Sequence, residues 1–268
     1  MHHRTGKILG AFIILVFQCH FAMAQDLEVG FTAGGDYYLG DLNPGKHFVN
    51  SQLAYGVVAR YTLNTRWAVK VAAIRGEMKG DAATSTFLPE RELAFTSNLT
   101  DISAVAEFNF KSHFTGSRMN PISPYIYGGL SFFFFDPMNN GVSLRAMGTE
   151  GQNVGYEGRT PYGKVSVSIP FGLGVKVSLG NRIGIQAYWE MHKTFNDYLD
   201  DISTTYYLDG RNIDPDDQAA ALSDPTFNHE PGMQRGNASN KDWFAIYGVA
   251  VTYKFNLLSR KKCRDMDN

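Results

Sequence analysis

The sequence predicts an all-β fold: a transmembrane antiparallel up-and-down β-barrel of about eight strands, with long external loops and short periplasmic turns. Three observations predict it: stretches in which apolar residues alternate with polar or small ones, connections that alternate short with long, and aromatic residues gathered near the predicted strand ends. The clearest stretch is Arg182–His192. Side chains in a strand point to opposite faces with period two, so Ile183, Ile185, Ala187, Trp189 and Met191 share one face while Arg182, Gln186, Glu190 and His192 share the other. An oily face beside a charged one matches lipid outside and a polar interior.

The first residues indicate export. Arg4 and Lys7 precede a continuous apolar run, Ile8–Phe17, and Ala22-Met23-Ala24 before Gln25 forms a small-x-small cleavage site. This predicts a signal peptide at 1–24, the barrel at 25–255 and a periplasmic basic tail at 256–268. An N-terminal membrane anchor is the alternative, but the run is well short of the roughly 20 residues a spanning helix needs. Gln18 before Cys19 does not fit a lipoprotein box. The mature chain then keeps one cysteine, Cys263, which cannot form an intrachain disulfide; an intermolecular bond or an idle thiol are both open. Without Arg4 and Lys7, 23 basic residues face 26 acidic ones, a net charge of −3, which gives nucleic acid no attraction. The sequence has no mature apolar stretch of about 18 residues, so no transmembrane helix is expected, and it has no Cys/His spacing of a zinc site; no metal and no cofactor are assigned.

The strands follow in order. Leu27, Val29, Phe31 and Ala33 share a face of the first, which runs towards Tyr38. Leu53, Tyr55, Val57, Ala59, Tyr61 and Leu63 alternate with Ala54, Gly56, Val58, Arg60 and Thr62 in the second. Asn64-Thr65 turns the chain into Trp67, Val69, Val71 and Ala73, alternating with Ala68, Lys70 and Ala72. The fourth sets Ile102, Ala104, Ala106, Phe108 and Phe110 against Asp101, Ser103, Glu107 and Asn109. The fifth, Tyr125–Phe135, is aromatic on both faces, so its orientation stays open. Val167 to Val177 alternates with Ser166, Ser168, Pro170, Gly172, Gly174 and Lys176 in the sixth; Arg182–His192 is the seventh. The eighth carries Trp243, Ala245, Tyr247, Val249, Val251, Tyr253 and Phe255 on one face.

Connections support the same topology. They run long (Leu39 to Gln52), short (Asn64-Thr65), long (Met78 to Asn98), medium (Lys111 to Ser123), long (Asp136 to Lys164), short (Gly180-Asn181) and very long (Thr194 to Lys241). Aromatic girdles are expected at Tyr61, Trp67, Phe108, Phe110, Tyr253 and Phe255 on the periplasmic side, and at Tyr37, Tyr55, Trp189 and Trp243 outside. A soluble β-sandwich also has alternating strands, but its loops seldom keep a short-long order. Gly248-x-x-Val251-x-Tyr253-x-Phe255 further resembles the terminal signal of outer-membrane barrels.

Eight strands leave an interior that side chains can fill. The lumen charge network is predicted from Arg60, Lys70, Glu107, Lys176, Arg182, Glu190 and Lys254, with Asp101 and His192 also inward, paired because an unpaired buried charge is costly. A plug is expected rather than a pore. Glu107, Glu190 and His192 are the residue types of hydrolytic catalysis, and Ser203 and His229 those of a lipid-modifying enzyme, but no G-x-S-x-G motif surrounds them. No catalytic residue is assigned. The acidic loop of Asn196, Asp197, Tyr198, Asp200, Asp201 and Ser203 lacks calcium-loop spacing, so it reads as a solvated loop or a protein-contact surface.

Gly34-Gly35-Asp36-Tyr37-Tyr38-Leu39-Gly40-Asp41-Leu42-Asn43-Pro44, Phe114-Thr115-Gly116-Ser117-Arg118 with Pro124–Gly129, the run Lys193–Tyr206 and the stretch Asn237–Phe255 resemble the PorG-like outer-membrane barrels of Bacteroidetes. The resemblance spans nearly the whole mature chain. It implies a non-enzymatic component of the type IX secretion system, associated with a periplasmic ring built from a lipoprotein and its partner. On the predicted topology, Lys111 and Arg118 of the medium turn and Arg260, Lys261, Lys262 and Arg264 of the tail are candidate contacts to that ring. Outer-membrane lipid is the other expected partner. A structural or ligand-binding barrel without a secretion role is the alternative.

Overall fold

The alternating stretches close into a barrel whose outward row is apolar and whose inward row is polar, aromatic or glycine. The computed structural model describes residues 26–84 and 89–256. Its strands are β1 Asp26–Leu39, β2 Gln52–Thr62, β3 Trp67–Asp81, β4 Ala94–Asn109, β5 Ile122–Phe134, β6 Pro137–Asn139, β7 Val142–Ser143, β8 Val165–Leu179, β9 Ile183–Thr194 and β10 Trp243–Asn256. Two short helices lie in the loops, α1 Leu144–Met147 and α2 Gln218–Ser223. Among the described residues no helix is long and apolar enough to cross a membrane. The expected leader at 1–24, the cysteines Cys19 and Cys263, and the tail residues Arg260, Lys261, Lys262 and Arg264 lie outside the described residues.

The wall runs β1-β2-β3-β4-β5-β8-β9-β10, each strand antiparallel to the next. It closes where β10 pairs with β1 from Asp26↔Asn256 to Leu39↔Trp243. Closure leaves no sheet edge in this wall, the condition for β-structure in lipid, where an unpaired backbone group costs several kcal/mol. Outward side chains such as Phe31, Leu130 and Phe132 are 75%, 67% and 60% exposed, and they join Val57, Val71, Ile102, Leu173 and Val251 in one apolar band. This is a membrane-spanning antiparallel barrel, as the alternation predicts. The fifth strand also finds its orientation: Ile126, Leu130, Phe132 and Phe134 face out, while Tyr125, Tyr127 and Phe133 are buried inside. Gly30 and Gly34 lie on the inward row of β1. An added Cβ there would stand 1.9 Å from the backbone oxygens of Val251 and Tyr247, so no other residue fits without moving a strand.

One connection differs from its prediction. Met78–Asn98 is not a loop throughout, because β3 continues to Asp81 and β4 begins at Ala94. Above the lipid band the alternation inverts: Arg75 and Glu77 face water, and Met78, Phe95 and Leu99 turn inward to form an apolar core. β6 continues the β5 register against this raised part of β4, with Thr96↔Met138 following Thr100↔Phe134. The barrel therefore has a loop end that stands above the band and a terminus end carrying residues 26 and 256.

Both aromatic belts are present. At the terminus end Trp67 lies 5.0 Å from Phe108, Phe108 lies 5.7 Å from Phe110, and Tyr253 lies 5.0 Å from Phe255, as ring-centroid distances. At the loop end the Trp189 Nε1–H donates to the Tyr37 hydroxyl at 2.8 Å, and Phe171 approaches Trp243 at 6.2 Å.

Candidate functional site: a filled lumen and a cap of buried carboxylates

The lumen holds two charged layers. In the layer nearer the terminus end, Arg60 donates from Nε to Glu107 at 2.7 Å, from Nη2 to Glu107 at 3.3 Å, and from Nη1 to Glu28 at 2.9 Å. A further Nη2 bond goes to Gln186. Lys176 donates to Glu107 at 2.7 Å and to Asn109 at 2.9 Å, with its ammonium 4.4 Å from the Tyr125 ring centre. Thr115 and Thr252 donate to the Glu28 carboxylate, each at 2.7 Å. Two cations face two carboxylates, and the planar guanidinium serves both acids at once.

In the second layer Lys70 lies 3.4 Å from Glu190, with its ammonium 4.3 Å from the centre of the Tyr127 ring. His192 Nε2 is 3.0 Å from Glu190 Oε1, so this nitrogen carries the proton, since a carboxylate can only accept. The imidazole stacks on Phe244 at 4.1 Å, and its Nδ1 is 3.7 Å from Asp101. Arg60, Lys70, Glu107, Lys176, Glu190, Asp101 and His192 thus all occupy the predicted interior.

Two predicted lumen residues are elsewhere. Arg182 precedes β9 in the turn, where it is exposed and donates to the Tyr253 hydroxyl at 2.7 Å on the outer side. Strand alternation stops at Ile183, so the parity that places Gln186 inside does not extend to Arg182. Lys254 sits at the terminus-end mouth rather than deep in the lumen, 3.4 Å from Asp26 and beside Phe114. The lumen members the sequence reading passed over are Glu28, on the polar row between Leu27 and Val29, and Asp36, fully buried and also on the inward row. Period two could have found both.

The medium turn between β4 and β5 folds back into the terminus-end mouth. Thr115 reaches Glu28, the Gly116 N–H donates to the Ser178 hydroxyl, and the His113 N–H donates to Thr65 O at 2.9 Å. Lys111 and Arg118 stay exposed at its rim.

The loop end is covered by a cap that corrects the solvated reading of the acidic loop. Asp197, Asp200 and Asp201 are 5%, 1% and 0% exposed. Tyr38, at the top of β1, donates to Asp200 at 2.5 Å and lies 3.1 Å from Asp242. Tyr162 donates to Asp201 Oδ1 at 2.6 Å, and the Thr149 hydroxyl donates to Asp201 Oδ2. Ser203 donates to Asp197 at 2.5 Å, and Asn196 accepts from the Tyr198 N–H at 2.7 Å. The Tyr198 ring stacks on Tyr162 at 4.5 Å.

Glu150 is the second anchor of the cap. It accepts from the N–H groups of Ser203 and Thr204, from the Thr204 hydroxyl at 2.6 Å, and from Arg235 at 3.1 Å. Arg235 is 1% exposed and also donates to Asp201 O at 2.7 Å. No local pattern marks Glu150 or Arg235 as special, because they bond each other across 85 residues, Glu150 reaches Ser203 across 53 and Arg235 reaches Asp201 across 34.

Burial raises the pKa values of Asp197, Asp200, Asp201 and Asp242. Asp201 is pushed up to about 6 by desolvation, which Arg235 partly offsets, and Asp197 to about 6, also by desolvation. Asp200 and Asp242 lie well above the usual carboxylate range, first through burial and then through neighbouring acids, Asp41 for Asp200 and Asp200 for Asp242. Among the described residues no cluster of His, Cys, Asp or Glu has the arrangement of a metal site. Ser203 and His229, the imagined lipid-modifying pair, are engaged separately: Ser203 with Asp197, and His229 with Asp224 at 2.8 Å while stacked on Tyr206.

Comparison with solved structures finds barrels of similar fold. The attachment invasion locus protein Ail of Yersinia pestis, solved with the heparin analogue sucrose octasulfate, has a TM-score of 0.42 at 10% identity, covering 87% of this chain and 100% of that one. Neisserial surface protein A gives 0.44 at 13% identity, covering 85% and 97%. The outer membrane protein OprG of Pseudomonas aeruginosa gives 0.42 at 14% identity, covering 87% and 97%. Comparison with curated proteins gives no match. Residues 7–263 match the model of the domain of unknown function DUF6089, and the chain belongs to that family.

Proposed function

We propose that this protein is a plugged outer-membrane barrel acting as a non-enzymatic anchor or adaptor of the type IX secretion machinery, contacting its periplasmic ring. The observation that carries a non-conducting role is the lumen, where Arg60, Lys70 and Lys176 are each buried against a carboxylate across the barrel's interior. A barrel so filled works through its surfaces. The apolar band, together with the export signal read at residues 1–24, supports placement in the outer membrane with the terminus end in the periplasm. The secretion role rests on the resemblance to PorG-like barrels. Lys111 and Arg118 stand exposed on a turn that is itself bonded into the mouth, a rigid presentation suited to an acidic partner. Arg260, Lys261, Lys262 and Arg264 are the further basic candidates for that contact.

The test is export of a cargo protein bearing a C-terminal secretion domain in a clean deletion strain. Cargo held in the periplasm and released on complementation supports the role; normal export refutes it. Charge reversal at Lys111 and Arg118 then probes the contact: ring association that survives it removes these residues from the interface. The second reading, a barrel that binds ligands through its external loops, is favoured by the densely bonded cap, and predicts normal export in the same strain.

A further inference from the structure

A groove of about 910 Å³ opens on the outer flank of the loop end, between the first loop and the segment before β10. Its floor is built from outward positions at the tops of three neighbouring strands. Leu39, Trp243 and Lys193 form one cross-strand row, and Met191 lies in the row beneath. That lower row packs with Tyr37 and Ala245 and continues downward through Trp189 and Tyr247 into the bilayer-facing wall. The groove is therefore the upper edge of the lipid-facing surface, roofed by loops, and not a pocket isolated in water.

Its polar margin is basic. The Lys193 ammonium lies 5.9 Å from the centre of the Trp243 ring, and Lys241, which donates to Ala238 O at 3.1 Å, and His47 also line the groove. Asp41, the acid on the lining, turns Oδ2 to the Asn237 N–H at 2.9 Å. Trp189, Trp243 and Tyr247 form the aromatic belt at this end, and such belts sit at headgroup depth. A site there meets acyl chain on its floor and headgroup on its rim.

We propose that this groove binds an anionic lipid of the surrounding leaflet, its phosphate held between Lys193 and Lys241 and the upper part of its chains laid on Leu39, Met191 and Trp243. Two features select the occupant. The apolar floor is continuous with the outward apolar band, and two lysines on the lining complement phosphate. The volume falls within the 300–1,000 Å³ typical of small-molecule sites, far above what a lone phosphate fills.

The experiment is native mass spectrometry of the full chain released from detergent, with phosphatidylglycerol and phosphatidylcholine of identical chains offered in turn. One phosphatidylglycerol is expected to remain bound in preference to phosphatidylcholine. A basic residue near an anionic lipid surface contributes roughly fivefold in affinity, so Lys193→Gln/Lys241→Gln should weaken retention by roughly thirtyfold and Lys193→Arg/Lys241→Arg should preserve it. Because Lys241 also lies 3.8 Å from the buried Asp197, heat-modifiable migration checks that each variant folds, and Lys193→Gln alone carries the test if the double variant does not. Equal retention of the two lipids, retention unchanged in the glutamine variants, or displacement of the lipid by an equal concentration of inorganic phosphate would each overturn the proposal.

Discussion

Replacing Arg60 by Met should be among the most damaging single changes in the barrel, and a second change should partly repair it. Arg60 is 4% exposed and bonds Glu107, Glu28 and Gln186. Without it, Lys176, which bonds Glu107 directly, is the one cation left bonded to either Glu28 or Glu107 among the described residues. Breaking a buried ion pair by removing one partner costs about 3–5 kcal/mol, because the other charge stays buried without compensation. At about 1.4 kcal/mol per tenfold, the unfolding equilibrium of Arg60→Met should shift by roughly two to four orders of magnitude. The double variant Arg60→Met/Glu107→Gln keeps one acid, Glu28, and one cation, Lys176, so it should be more stable than Arg60→Met alone. The assay is urea titration in phospholipid vesicles, reading the folded fraction by heat-modifiable migration. Arg60→Met within about 1 kcal/mol of the parent, or a double variant weaker than the single one, would refute the reasoning that charge pairing holds this lumen.

The filled lumen predicts no steady ion conductance in planar bilayers; open steps of porin size would contradict it. Arg235→Met should release Glu150 and Asp201 together, so limited proteolysis should cut within residues 195–242 while the strands stay protected; an uncut cap would count against this anchor. Asp201 is raised to about 6 in the closed cap against 3.8 when free, so the closed form binds the proton more tightly. The resulting stability is full below about pH 4 and is lost as pH rises through 6, roughly 3 kcal/mol at about 1.36 kcal/mol per unit. Protection of the Ser203 and Thr204 amides, relative to the intrinsic exchange rate at each pH, should fall across that window, and a flat or rising protection would refute it. Tyr38→Phe leaves Asp200 and Asp242 without their shared hydroxyl and should loosen the cap by about 1–3 kcal/mol, whereas Asp242→Asn removes one of two adjacent buried acids and supplies a donor to Tyr38. The second variant should therefore exchange no faster than the parent at neutral pH.

The membrane-embedded part of this fold was legible because lipid imposes one rule on every strand. Apolar residues must face out at every second position, and Ile183 to Met191 or Val167 to Val177 obey it without a break. The same parity located Arg60, Lys70, Glu107, Lys176 and Glu190. It stops short at strand ends, where Arg182 lies in the turn before β9 and Lys254, inward in register, sits at the open mouth, and above the lipid band, where water replaces lipid outside. There Arg75 and Glu77 face out while Met78 and Phe95 face in, so a reading tuned to apolar exteriors takes the raised strands for loop.

The cap was illegible for a different reason. A run such as Asp197 to Asp201 has the composition of a solvated loop, and only its partners bury it. Those partners are remote: Tyr38 is 162 residues from Asp200, and Glu150 is 53 from Ser203. Burying carboxylates is costly unless each finds donors, and here hydroxyls, backbone N–H groups and Arg235 supply most of them. A cap joined by such bonds resists local opening only as a unit, since releasing one acid strands its donors as well. Through Tyr38 the cap is bonded to β1, and through Phe244 stacked on His192 the strand that follows it meets the second lumen layer. The lumen and the cap therefore form one continuous interior, so a change in either is felt at the other.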